Sequence, residues 1–265
     1  MTAKEKKKTS KRPATRTALY IVGDSPLVEE YARLCSQRGY GVVIHRTSEE
    51  GSARRKSDEF RQSAIVPPGT HLALEVSNID LEAKKKNLQK LDNALPATAA
   101  ILTSSVTVSA SEQATWIHKR HRLVGFSAFP TFSDGPLVEV APTVHTPPET
   151  LEVVQKFFLS IGKECEYIQD RVGLVLPRVL CQIINEACFA LQEDVAAPRD
   201  VDTAMKLGVN YPLGPIEWAD NIGFGTVYAV LAALENDLRD DRYRIAPLLK
   251  QMAQTGEWWK KPTTS

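Results

Sequence analysis

Apolar residues follow two rhythms along this chain, and the change between them falls near residue 170. Before it, short apolar runs alternate with segments of helical spacing. The run "ALYIVG" (18–23) ends at a glycine. In "SPLVEEYARLCSQRGY" (25–40), Leu27, Val28, Tyr31, Ala32 and Cys35 recur at a helix's spacing, and Gly39 stops it. "GVVIH" (41–45) then reads as a second buried strand. A strand, a helix and a strand in so few residues open a parallel, doubly wound sheet.

Further strands are predicted at "THLALEV" (70–76), "AAILTSS" (99–105), "RLVGFS" (122–127), "PLVEVAP" (136–142) and "CEYIQD" (165–170). Helices are predicted between them at 80–95, 109–120 and 147–163. The first carries a lysine-rich outer face, and the second starts with Ser109 and Glu112 spaced as a capping box. Residues 47–69 are poor in apolar side chains and read as a loop or a short exposed helix. After Asp170 only helical periodicity remains. A long helix spans 177–196, and Asp200 is placed to cap "VDTAMKLG", which should stop at Gly208. More helix fills 212–237, broken near Gly223 and Gly225, and the last runs over 243–256. The expected architecture is an α/β sheet domain over 18–170, then an all-α domain over 171–265.

Composition changes this picture little. A chain of 265 residues with 43% hydrophobic and 25% charged residues is ordinary for a globular protein. The net charge of +1 is unevenly placed. Residues 1–17 hold seven Lys/Arg against one Glu, so the body is mildly acidic and the first residues form a basic, solvated tail. That tail lacks the apolar core of a secretory signal, and no run is long and apolar enough to span a bilayer. A cytoplasmic protein without nucleic-acid partners is the expectation. Cys35, Cys165, Cys181 and Cys188 form no C-x-x-C pair and read as reduced core residues, with no metal site.

The helical half carries the most specific signal. Asn185-Glu186-Ala187, Asp200-Val201-Asp202, Ala204-Met205-Lys206-Leu207-Gly208, Pro212-Leu213-Gly214-Pro215 and Asp220-Asn221-Ile222-Gly223 follow one another in a set order. In that order they resemble the C-terminal domain of 3-hydroxyacyl-CoA dehydrogenases. The earlier half resembles the same family more loosely, through "TSS" (103–105), "LVEV" (137–140) and "IGK" (161–163). The resemblance implies a Rossmann-type sheet domain followed by a helical domain that forms a homodimer, here through 171–265. It also implies NAD or NADP as cofactor and an acyl-CoA as ligand.

The family reaction passes a hydride from a 3-hydroxyacyl thioester to the nicotinamide. It needs a base for the hydroxyl proton and donors that hold the oxygen. The resemblance places the paired glutamate at Glu139 and the hydroxyl-binding serine at Ser104. It places the catalytic histidine at Ser127 and the substrate-binding asparagine at Pro177, with Arg178 retained beside it. Serine takes no proton near neutral pH without a base of its own. Proline donates nothing. His118 and His121 lie at the far end of the same strand and read as solvated.

The dinucleotide turn departs in the same way. Such a turn uses three glycines for the bend, for close approach of the diphosphate and for packing. This one reads Gly23-Asp24-Ser25-Pro26-Leu27-Val28. Arg46 stands where an acidic residue would hold the ribose, either favouring a 2′-phosphate or remaining as a loop arginine. Lys84 matches a family lysine, or is one solvated lysine among three. The sequence therefore leaves two main readings, beside a third in which Ser127 serves another chemistry on this scaffold. One is a dehydrogenase-like binding protein with a degraded site. The other is an active NAD(P)-dependent dehydrogenase of fatty-acid metabolism.

Overall fold

The fold is taken from a computed structural model that describes residues 18–47, 59–133 and 135–256. The basic tail, Trp258 and Trp259, and much of the 47–69 stretch lie outside the described residues. Among the described residues, eight strands form one sheet: β1 (Ala18–Gly23), β2 (Gly41–Arg46), β3 (Arg61–Gln62), β4 (Leu72–Glu75), β5 (Ala100–Ser104), β6 (Leu123–Phe126), β7 (Leu137–Pro142) and β8 (Glu164–Tyr167). Their order is β3-β2-β1-β4-β5-β6-β7-β8. All neighbours run parallel except β6 and β7. The first six strands have the doubly wound order, whose crevice for ligands opens between the carboxyl ends of β1 and β4.

Alternation on β1 sorts the two faces of the sheet. Leu19 and Ile21 join a core formed with α1 (Leu27–Gln37) and α4 (Pro148–Ser160). Tyr20 and Val22 join the opposite core, with α2 (Leu81–Ala94) and α3 (Ala110–Ala114). A period of two along the strand thus becomes two helical layers. Among the described residues, five α-helices make the second unit: α5 (Leu176–Gln192), α6 (Pro198–Val209), α7 (Pro215–Ile222), α8 (Phe224–Leu238) and α9 (Pro247–Thr255). Their core also takes in Val106 and Phe129 from the sheet unit, so the two units share packed apolar surface.

Four local expectations are corrected. The helix expected over 109–120 ends at Ala114. Asp92 of α2 accepts from the His118 and Lys119 amides at 2.9 and 3.3 Å, which draws that segment out of helix. Asp200 does not cap α6. Ala197 does, with Pro198 in the first turn, where a missing N–H costs nothing, and Asp200 lies inside that turn. That helix also runs past Gly208 to a left-handed Asn210. The weakly apolar 47–69 stretch includes the short strand β3, paired to Val43 and Ile44. Cys35, Cys181 and Cys188 are buried and every cysteine is free, and no metal-binding cluster exists among the described residues. Nor does any described helix have the length and apolarity to cross a membrane.

Candidate functional site

The carboxyl edge of the sheet collects polar side chains that the strands cannot absorb. Beneath it lies a buried pair. Lys84, from the first turns of α2, contacts the Glu75 carboxylate at the end of β4, and both side chains are fully buried. Its ammonium also donates to the Ser77 carbonyl at 2.9 Å. Glu75 further accepts from Asn87 at 3.3 Å, Thr103 at 3.4 Å and the Ser77 amide at 3.2 Å. Burial pulls the Lys84 ammonium below the ordinary lysine value, and the Glu75 charge opposes that pull. Lys84 is therefore no part of the solvated lysine face. It is set inward, against Glu75 and Ser77.

Above this pair, Asn78 gathers three segments. Its Nδ2 donates to the Ala128 carbonyl at 2.8 Å. Its Oδ1 accepts from Ser104 at 2.5 Å, and its carbonyl accepts from Thr107 at 2.8 Å. Ser104 is thus buried and held at the end of β5, beside the loop that leaves β6. That loop carries Ser127, which is half-buried and donates its amide to the Glu139 carbonyl at 2.9 Å. Asn78 lies at a strand end in no motif. Only its position among β4, β5 and the Ala128 loop reveals it.

Glu139 projects from β7 to the start of α5. One carboxylate oxygen accepts from the Val175 amide at 3.0 Å and the other from the Leu176 amide at 2.7 Å. A carboxylate at a helix N-terminus satisfies orphan amides and complements the helix dipole. Pro177 is buried in that same first turn of α5. Arg178 donates to the Val172 carbonyl at 2.8 Å. Glu139 and Pro177 thus meet at one helix end, while Ser104 and the Ser127 loop meet through Asn78. His118 and His121 are exposed near the start of β6, at the opposite edge of the sheet.

The β1–α1 turn brings together Gly23, Ser25 and Arg46. Gly23 pairs with Arg46 across β1 and β2. It has a φ of +148°, and a Cβ there would stand 2.8 Å from the Ser77 amide nitrogen, so the close packing of β1 against β4 demands glycine. Ser25 donates to Glu29 of α1 at 3.0 Å, and Arg46 pairs with the same carboxylate. Glu29 and Glu30 occupy the first turn of α1, Pro26 brings no N–H, and the Val28 amide donates to the Asp24 carbonyl at 3.2 Å. Asp24 itself is half-buried. Burial and the neighbouring Glu75 push its carboxyl up to about 6, against the opposing influence of Lys84 and the Asn78 amide.

Comparison with known proteins agrees with this architecture. The 3-hydroxyacyl-CoA dehydrogenase NAD binding domain matches residues 62–171, and the C-terminal domain of the same family matches residues 173–264. The first match begins after β1, α1 and β2. A probable 3-hydroxybutyryl-CoA dehydrogenase of Bacillus subtilis is 31% identical over 72% of this chain and 66% of its own length, just under two thirds. A 3-hydroxybutyryl-CoA dehydrogenase of Clostridioides difficile is 30% identical over 72% of this chain and 68% of its own. Among solved structures, (S)-3-hydroxybutyryl-CoA dehydrogenase from Ralstonia eutropha superposes with a TM-score of 0.74 at 25% identity, covering 91% of this chain and 95% of that one.

Proposed function

This chain belongs to the 3-hydroxyacyl-CoA dehydrogenase family, and we propose that within it the chain is a binding homologue whose hydride-transfer chemistry has lapsed. One observation carries the reading. Both oxygens of Glu139 are engaged by the amides of α5, and the loop beside its strand offers Ser127 where a base is needed. A missing general base alone is worth roughly 10²–10⁴ in rate. Pro177, at the family's asparagine position, removes a second polar group from the same helix end.

The residues of the β1–α1 turn do not fit a nicotinamide dinucleotide. A diphosphate needs free helix-end amides and close backbone approach. Here Glu29 is tied to Ser25 and Arg46, Pro26 brings no N–H, and Asp24 is half-buried in the same turn. No hydride-transfer step is therefore assigned to this chain. The ligand we assign is an acyl-CoA or nucleotide held without turnover, by a homodimer formed through residues 171–265. In support of the dimer, Val175, Val179, Val195, Leu207 and Val209 of the helical half stand more than half exposed. A strictly monomeric mass by light scattering would refute it.

The alternative, an active NAD(P)-dependent dehydrogenase, draws on Ser104, Glu139 and Lys84 at family positions. Reduction of acetoacetyl-CoA, followed through NADH or NADPH absorbance, separates the two. The binding reading expects no turnover above background by the unaltered chain, and a gain by Ser127→His where the thioester pocket persists. Robust turnover by the unaltered chain overturns it.

A further inference from the structure

The solvent side of α5 carries a pattern of its own. Leu180, Ile184, Ala187 and Leu191 are buried and face the helical core. Val175, Val179, Gln182, Glu186, Phe189 and Glu193 follow one another by alternating steps of four and three, and none of them is buried. Such alternation lays side chains in one stripe, the arrangement by which one helix packs on another. Val175 and Val179, at its start, are each 53% exposed. Beside its far half, the single 3-10 turn Asp241–Tyr243 leads toward α9. Asn185 ties that segment to α5 by donating to the Arg244 carbonyl at 2.9 Å. Between helix and turn lies a recess of about 280 Å³. Gln182, Glu186, Phe189 and Glu193 wall it from α5, and Asp241, Arg242 and Arg244 from the other side. The Arg244 guanidinium lies over the Phe189 ring, 5.1 Å from its centroid, and Arg242 pairs with Asp240 at 3.1 Å. Among the described residues, Glu186, Glu193, Asp241 and Arg244 form no ion pair. The Gln182 amide nitrogen is shielded from water and has no hydrogen-bond partner within the chain. A shielded donor is costly without an acceptor, so this one calls for an acceptor from outside.

We propose that this stripe and recess are where a second copy of the chain docks, α5 facing α5, with the carboxylates of one copy meeting the arginines of the other. The inference rests on the homodimer reading above and deepens it by naming the contact. A twofold contact sets one patch against the same patch reversed, so a patch of mixed sign is its own complement. A small anion would meet three carboxylates in the recess, and a small cation two guanidinium groups. The recess is also smaller than the roughly 300–1,000 Å³ of most ligand pockets, and it suits long side chains instead. Carboxylates entering from the second copy supply acceptors for Arg244 and for the stranded Gln182 amide. Val175 and Val179 give the stripe its apolar end, and the Arg244–Phe189 stack gives it an aromatic and arginine pair of the kind interfaces favour.

The test separates the two signs. Glu186→Arg with Glu193→Arg leaves the patch mainly cationic, and Arg242→Glu with Arg244→Glu leaves it anionic. All four side chains are exposed, so both variants should fold, which circular dichroism checks. The readout is the mass of the full chain by light scattering. The unaltered chain should be a dimer whose association weakens about tenfold as salt rises from about 0.05 to 0.5 M. Each variant alone should associate about a hundredfold more weakly or worse, because like charges then face each other. Mixed in equal amounts, the two variants should regain a dimer. Dimers formed by each variant alone place the contact elsewhere and leave the recess to another occupant, which overturns the proposal. A folded mixture that stays monomeric overturns it too. A monomeric unaltered chain overturns the proposal together with the homodimer reading, whereas dimeric variants leave that reading standing.

Discussion

Asn185 in the helical half and Ser127 at the edge of the sheet both sit at positions where the family pattern has a polar residue. Their surroundings differ. Asn185 is buried in α5 and uses both ends of its amide: it donates to the Arg244 carbonyl and accepts from the Ala246 amide, each at 2.9 Å. That pins the start of α9 to α5. Asp202 does the same for α7, accepting from the Ile216 amide at 2.8 Å, with Gly214 packed so closely that a Cβ would stand 2.1 Å from the carboxylate. Glu217 closes that turn by accepting from the Gly214 amide at 2.9 Å. In the helical half, then, the matching residues have partners inside the fold. Ser127 and Ser25, in the sheet half, sit where the family's partner is a ligand, and a change there leaves few buried groups unsatisfied. A strong family signature in the helical half can thus record packing alone, while the residues that meet ligands decide the chemistry.

The sharpest way to test this contrast is to remove an internal partner. Lys84→Met leaves Glu75 buried without its cation, and loss of one member of such a pair costs about 3–5 kcal/mol. Chemical denaturation should show it as a large fall in midpoint with little change in slope. Asn185→Leu strands the Arg244 carbonyl and the Ala246 amide, for about 2–3 kcal/mol. Limited proteolysis should then release α9 first.

Asp24 should act in the opposite direction. Its carboxyl rises on folding from 3.8 to about 6, so the folded chain holds that proton more tightly than the unfolded one. The stabilising contribution is complete below about pH 4 and is lost as pH rises through about 6. Asp24→Asn should therefore melt higher than the unaltered chain at pH 7.5, by about 1–2 kcal/mol after allowance for solvent contact, and level with it near pH 4. Equal melting at both pH values would remove the burial argument. The smallest effect belongs to Ser127→Ala. The backbone bond from residue 127 to Glu139 survives the change, and stability should stay within about 0.5 kcal/mol. A loss as large as that of Asn185→Leu would erase the contrast between the two regions.

Which parts of this were legible beforehand follows from the range of the forces involved. Apolar spacing is a local property. It placed seven of the eight strands and the long helices, because alternation on β1 and the helical repeat in α1 can be read within a dozen residues. It missed β3, whose two residues have no pattern of their own and pair only because β2 offers an edge. It ran α3 too long, since Asp92 captures the following amides from another helix. The resemblance named Ser104, Glu139, Ser127 and Pro177, but it could not say what touches them.

The two-part architecture, the family, and the residue types at each family position can be read from the order of amino acids. That Lys84 turns inward to Glu75, that Asn78 joins three segments, and that Glu139 serves a helix end emerges from the folded arrangement. These partners lie 9 to 37 residues apart or more along the chain. Hydrogen bonds and ion pairs act over a few Å, and what comes within that reach is set by how the strands are ordered in the sheet, which no local spacing encodes.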